Sequence, residues 1–294
     1  GYRIPLRFND EVIGQEERAL ERLQSALKAA IPEAGGLDKA GINALAEQVK
    51  AAYAAEFIGA DGRIKPDRQA SYVRVLALDL APEELKPAIV DHLVRLIRAA
   101  GNHSGTGFLS TVFICDVLAE HGRLDVAYDL LNQKTIPSWL YAVTKGATTI
   151  WEAWEGLAED GTPFASLNHY SPGAIVNFLH RKVAGIAPAA PGYKKIAIQP
   201  LPGGGLTRAR AAFESVHGLI VTDWKIEGGQ MHLHVTIPAN TTADLTLPGA
   251  ALEAVLEGGQ PLARADGITH PAQHGADVRL EAVSGDYAFT YPWQ

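Results

Sequence analysis

Apolar positions recur every three to four residues through the first two thirds of the chain and every second residue through the last third. These periods belong to helices and strands respectively. Over residues 16–30, Leu20, Leu23 and Leu27 form one stripe with charged residues opposite, and Pro32 and Gly35-Gly36 close the helix. Asp38 is placed to cap a second helix carrying Ile42, Leu45, Val49, Ala52 and Tyr53. Residues 57–63 are turn-rich. A third helix is predicted over 69–80 through Val73, Leu76 and Leu80. Pro82, Glu83 and Glu84 open a fourth, with Ile89, Leu93, Leu96 and Ile97 as its apolar face. The glycine-rich loop 101–107 precedes helices expected over 108–121 and 124–132, with Gly122 as the stop between them. Residues 137–141 begin another turn or helix, and a last one is expected over 174–183. The count is seven or eight helices.

The pattern changes after Gly185. Residues 187–192 read as a linker. Ile196 and Ile198 then alternate with polar neighbours, as do Leu233, Val235 and Ile237, which leave His232, His234 and Thr236 on the other face. Glu227-Gly228-Gly229-Gln230 predicts a hairpin turn. Further glycine and proline turns punctuate short strands up to Tyr291, so this part is expected to be a β-sandwich. The predicted architecture is therefore mainly α then β, with a helical domain over 1–187 in the style of an α/α toroid and an all-β domain over 188–294.

Composition narrows the function more than the fold. The 294-residue chain is 47% hydrophobic and 20% charged, ordinary for a globular protein with a real core. Its net charge of -7 argues against nucleic acid or an anionic membrane as partner. No signal peptide opens the chain and no apolar run is long enough to span a membrane, so a soluble, cytoplasmic location is expected. The first residue is not Met, which leaves a tag scar or a piece of a longer chain as readings of Gly1. Cys115, the single cysteine, sits in an apolar helical run and reads as core filler.

The densest chemistry lies in residues 145–156, which hold Thr148, Thr149, Trp151, Glu152, Trp154 and Glu155. The β-branched run Thr148-Thr149-Ile150 resists helix, and tryptophans three apart do not fit strict strand alternation. Aromatic faces beside carboxylates suit a sugar, whose C–H face stacks on indole while its hydroxyls bond to the acids. The same spacing also suits a Trp-anchored turn with both glutamates in solvent. His232 and His234 share a strand face, but no third residue has ligand spacing, so a solvated face is expected and no metal. The 101–107 loop lacks the lysine and spacing of a phosphate-binding loop. His169 precedes a helix and on local grounds is a helix-start residue.

Four segments, in this order, resemble the glycoside hydrolase family 78 α-L-rhamnosidases. They are His103-Ser104-Gly105-Thr106-Gly107-Phe108-Leu109-Ser110-Thr111, Pro137-Ser138-Trp139-Leu140-Tyr141, Gly146-Ala147-Thr148-Thr149-Ile150-Trp151-Glu152 and Ser166-Leu167-Asn168-His169-Tyr170. The resemblance runs from about Lys50 to Ala250. It implies part of an (α/α)6 barrel followed by the family's β domain, and removal of terminal α-L-rhamnose with inversion. Carried over, Glu152 resembles the general base and His169 the histidine that touches rhamnose hydroxyls. Trp151 and Trp154 would shape the pocket wall, with Asn102 and His103 as further lining and Glu155 structural. No cofactor is implied.

The departure concerns the general acid. In the family it lies far upstream of the base, in an Asp- and Arg-rich segment that nothing before Glu152 resembles. The expectation is an incomplete barrel that is inactive or nearly so alone, and that associates with itself or with a missing N-terminal half. Glu155, Glu159 and Asp160 are the first substitutes to consider. A different (α/α)6 glycosidase and a non-catalytic carbohydrate-binding scaffold are the alternatives.

Overall fold

The computed structural model describes residues 39–293. The helix expected over 16–30 and the cap at Asp38 lie outside the described residues. The chain divides into two compact units, meeting between Phe178 and Leu179.

Among the described residues, the first unit carries nine α-helical segments. They are α1 (Lys39–Phe57), α2 (Gln69–Ala77), α3 (Lys86–Ala99), α4 (Phe108–Thr111), α5 (Ile114–Glu120), α6 (Leu124–Asn132), α7 (Trp139–Thr144), α8 (Tyr170–Gly173) and α9 (Ile175–Phe178). Helices α2 and α3 pack together: Val73 and Leu76 of the expected stripe are buried with Tyr72 and Val75, while Leu80 lies beyond the end of α2, and Ile89, Leu93 and Ile97 of α3 are fully buried. Burying a side chain of this size contributes about 1.5–3 kcal/mol. Helices α5 and α6 form a second pair, joined at Gly122, whose φ of 74° is the left-handed stop the sequence predicts. Between α1 and α2, an antiparallel bridge from Ile58 to Ile64 closes the expected turn.

Helix 108–121 is expected as one piece and is found as two. Thr111 is the reason: its hydroxyl bonds back to the carbonyls of Gly107 at 3.1 Å and Thr106 at 3.3 Å. Such back-bonding competes with the helix ladder and bends it. The chain then restarts at Ile114.

The second unit, over residues 179–293, is built on a nine-stranded sheet: β1 (Ile186–Pro188), β2 (Lys195–Ile198), β3 (Arg208–Ser215), β4 (Gly218–Glu227), β5 (Gln230–Leu247), β6 (Leu256–Glu257), β7 (Gln260–Pro261), β8 (Ile268–His274) and β9 (Asp277–Pro292). A π-helical turn, Leu179–Val183, precedes it. The expected hairpin joins β4 to β5, with Gly228 and Gly229 at φ 59° and 73°, the twist a tight two-residue turn requires.

The part expected as a β-sandwich is one continuous sheet. Strands β5 and β9 pair along nearly their whole lengths and slip register between Ile237 and Thr242. One end of this ribbon pairs with β4 and β6, the other with β2 and β8. The inward face carries Leu233, Val235, Ile237, Leu245 and Leu247, and His232 and His234 lie exposed on the outer face as expected. From the inner face of β4, Trp224 donates its indole N–H to the carbonyl of Val183 and Thr222 its hydroxyl to that of Ala184, each at 2.8 Å. These bonds tie β4 to the segment that leads into β1. The stretch expected as a linker, 187–192, belongs to this unit. It contributes the edge strand β1, where Pro188 is tolerated because an edge leaves N–H positions unpaired.

Candidate active site

The chemistry-rich stretch, bent at Thr148-Thr149 and Glu152-Ala153, is laddered by backbone hydrogen bonds to residues that follow it. Ile150 accepts the backbone N–H of His169 at 2.9 Å, and Glu152 donates its N–H to the carbonyl of Ser166 at 2.9 Å. Thr149 adds a bond from its hydroxyl to the carbonyl of Leu167. Within the closed loop, a bridge from Leu157 to Pro163 holds the base. This ladder brings Glu152 beside His169.

The chain bends at Glu152 and Ala153, and Trp151 and Glu152 face different surroundings. Trp151 points inward and is 6% exposed. Glu152 does not, and its side chain is 29% exposed. Trp151 turns its indole into the core and, with Trp154, lines a crevice there. Trp154 meets Trp139 edge-on, centroids 5.4 Å apart, and Trp139 donates its indole N–H to the carbonyl of Pro172 at 2.8 Å. An apolar crevice among Ser138, Trp139, Ala142, Ile150, Trp151, Ala153 and Trp154 lies behind the ladder, and Glu152 does not line it. The tryptophans therefore support the ladder from behind.

At Glu152, Oε2 accepts the backbone N–H of Ser166 at 3.1 Å, and Oε1 lies 3.9 Å from Nε2 of His169. His169 is the N-cap of α8, and its Nδ1 accepts the N–H of Ser171 at 3.2 Å. The local helix-start role expected from sequence is present, and the same bond leaves Nε2 turned toward Glu152. Phe108 and Tyr170 stack on the imidazole, at centroid distances of 4.4 Å and 4.9 Å.

Asn102 and His103 are both engaged in loop contacts. Asn102 sits at φ 61° just after α3 and accepts from Arg98 at 3.0 Å. The ring nitrogens of His103 lie 2.8 Å from the carbonyl of Ala100 and 2.9 Å from the hydroxyl of Thr135. Both residues brace loops. Among the substitute acids, Asp160 is occupied by its own turn: the Thr162 N–H, 2.9 Å away, holds its carboxyl below the usual carboxylate range, unsuited to donating a proton. Glu155 and Glu159 are exposed. Among the described residues, no group of three His, Cys, Asp or Glu side chains is arranged to hold a metal ion, and no helix is long and apolar enough to cross a membrane.

Sequence reasoning missed Ser166, Ser171 and Phe108 as neighbours of the glutamate–histidine pair. Phe108 lay in a quoted motif, but nothing in its spacing points at His169.

Comparison with known proteins adds the family. Residues 21–183 match the bacterial alpha-L-rhamnosidase 6 hairpin glycosidase domain, and residues 185–260 match the bacterial alpha-L-rhamnosidase C-terminal domain. An alpha-L-rhamnosidase of Streptomyces avermitilis is 39% identical over 87% of this chain and 24% of its own length. One from Formosa agariphila is 35% identical over 86% of this chain and 28% of its own length. The crystal structure of the Streptomyces avermitilis enzyme complexed with L-rhamnose superposes with a TM-score of 0.80 at 36% identity, covering 90% of this chain and 25% of that one. The alpha-L-rhamnosidase structure from Dictyoglumus thermophilum gives 0.78 at 28% identity, covering 92% and 30%. The chain thus spans about a quarter of the length of the curated relatives it matches. With both of its parts matched in sequence and in fold, the chain belongs to the bacterial α-L-rhamnosidase family.

Proposed function

We propose that this chain carries the general-base side of an inverting α-L-rhamnosidase site, with Glu152 as the base and His169 as a donor to a rhamnose hydroxyl. The observation that carries it is the Glu152–His169 pair: a half-exposed carboxylate with one oxygen anchored by the Ser166 N–H and the other free toward His169. An inverting hydrolysis needs such a carboxylate on the face of the sugar opposite the leaving group. It takes a proton from water as the water oxygen bonds to the anomeric carbon and the glycosidic C–O bond breaks. The Ser166 N–H holds the carboxylate still without neutralising it.

The leaving oxygen needs a proton from a second carboxyl, about 6.5–9.5 Å from the base. We place that acid in the part of the family's length that this chain does not span. Hydrolysis of ordinary rhamnosides by this chain alone is then depressed by about 10²–10⁴-fold. A 2,4-dinitrophenyl leaving group departs without protonation, so it isolates the base. The expected result is slow release of dinitrophenol from 2,4-dinitrophenyl α-L-rhamnoside, with β-L-rhamnose formed first, lost in Glu152→Gln. Equal turnover by Glu152→Gln, or α-L-rhamnose as the first product, overturns the proposal.

A further inference from the structure

We infer that Ser171 and Phe108 are positioning residues that hold His169 in one tautomer, with its proton on Nε2 facing Glu152; this rests on the proposed pairing of Glu152 and His169 in one site. The inference begins with the gap between them. At 3.9 Å, Nε2 and Oε1 are too far apart for a direct hydrogen bond. One hydroxyl oxygen placed between them can accept from Nε2–H and donate to Oε1. That match exists only if Nε2 carries the proton. With the proton on Nδ1, a ring lone pair faces the carboxylate, and the pair offers two acceptors and no donor.

Ser171 fixes the proton's place from two directions. Its backbone N–H donates to Nδ1 at 3.2 Å, which requires Nδ1 to be bare. Its hydroxyl donates to the carbonyl of Phe108 at 2.7 Å, and the Phe108 ring stacks on the imidazole at 4.4 Å with an interplanar angle of 28°. Ser171 is itself fully buried, at 0% exposure. One serine therefore pins the edge of the imidazole directly and one of its faces through Phe108. Tyr170, next in the chain, also stacks on the imidazole, at 4.9 Å, and is 76% exposed. The Phe108 side is the restraining one, because its backbone is anchored in another part of the unit.

The test is long-range ¹H–¹⁵N correlation on the 294-residue chain labelled with ¹⁵N-histidine, at about pH 8, above the ordinary imidazole range. Loss of one signal in His169→Asn assigns the residue. The wild-type chain should show His169 with Nε2 protonated and Nδ1 bare. Phe108→Ala should move both nitrogen shifts toward the averaged values of a freely exchanging imidazole, Ser171→Ala should do so by a smaller amount, and Phe108→Tyr, which keeps the ring, should restore the wild-type pattern. A wild-type His169 protonated on Nδ1 overturns the inference, as does an unchanged pattern in Phe108→Ala. Should Phe108→Ala not fold, Phe108→Leu, which removes the stacked ring at similar volume, decides in its place, and an unchanged pattern there overturns the inference. The tautomer is read without substrate, so failure here is distinct from a failure of Glu152 as base, which the dinitrophenyl assay reads.

Discussion

The ring of Trp151 fills the space that any side chain at Gly156 would need: a Cβ there would fall 1.8 Å from ring carbon Cε3. Gly156 also sits at φ 68°. Steric overlap and backbone strain act together, so Gly156→Ala is expected to lower stability by about 2–4 kcal/mol. Urea unfolding followed by tryptophan fluorescence measures it. A midpoint equal to wild type would show that Trp151 is free to move aside.

Acid should loosen the junction between α1 and α3. Asp79 lies 3.0 Å from Lys50 on α1 and 2.6 Å from Lys86 on α3. Hydrogen bonds from Lys86 first, and Lys50 second, hold its carboxyl down at about 2, below the ordinary 3.8. A carboxyl depressed on folding contributes stability that is complete above the ordinary value and is lost as pH falls through the folded one. The melting temperature of wild type should therefore exceed that of Asp79→Asn at pH 7, and the gap should close between about pH 4 and pH 2. A gap independent of pH would remove the ion pairs from the account.

Tyr291 gives the opposite kind of expectation. Its ring is fully buried in the sheet unit, its hydroxyl has no hydrogen-bond partner among the described residues, and burial pushes the phenol well above its ordinary range. Removing an unsatisfied buried hydroxyl is neutral or stabilising, by up to about 1 kcal/mol. Tyr291→Phe should unfold at the same or a higher urea concentration. A clear loss of stability would mean that the hydroxyl has a partner such as buried water.

Cys115 should be inert. It is buried at 3% exposure, and desolvation raises its thiol far above the ordinary value, with the negative charge of Asp116 adding to it. A disulfide reagent at pH 8 should react with the native chain only as fast as the chain unfolds, and stoichiometrically once it is denatured. Rapid native labelling would contradict the core position.

The helical unit should associate. Val49 is 56% exposed and Leu109 71%, and Phe113, Phe164 and Val176 are exposed as well. Large exposed apolar side chains that gather into a patch find a partner. In the proposed assembly the partner is the remainder of the helical domain, and without it the chain is expected to self-associate. Sedimentation velocity of the isolated chain should show a concentration-dependent rise in weight-average mass, and a clean monomer at high concentration would refute this.

Local pattern carried most of the architecture. Helix α6 begins and ends at Leu124 and Asn132, as its periodicity predicts, and the Gly228-Gly229 hairpin is where the glycines put it. The change of period after Gly185 locates the sheet. What stayed hidden depends on distant partners. The break before Ile114 comes from the Thr111 hydroxyl choosing backbone acceptors, and the inward turn of Trp151 comes from a ladder with residues 166–169. Glu152 and His169 were each singled out, but their juxtaposition requires that ladder, and Ser171 and Phe108 reach the imidazole only through the folded unit. The lesson for Trp151 is that adjacency in sequence to a candidate base does not put the two side chains in the same surroundings.

Because β5 and β9 thread both halves of the folded sheet, neither half owns its own scaffold. Unzipping the ribbon at one end propagates through the register slip at Ile237 and strips partners from the other end as well. The amides of β2 and β4, which lie at opposite ends of the ribbon, should accordingly exchange with solvent through one shared opening event rather than two.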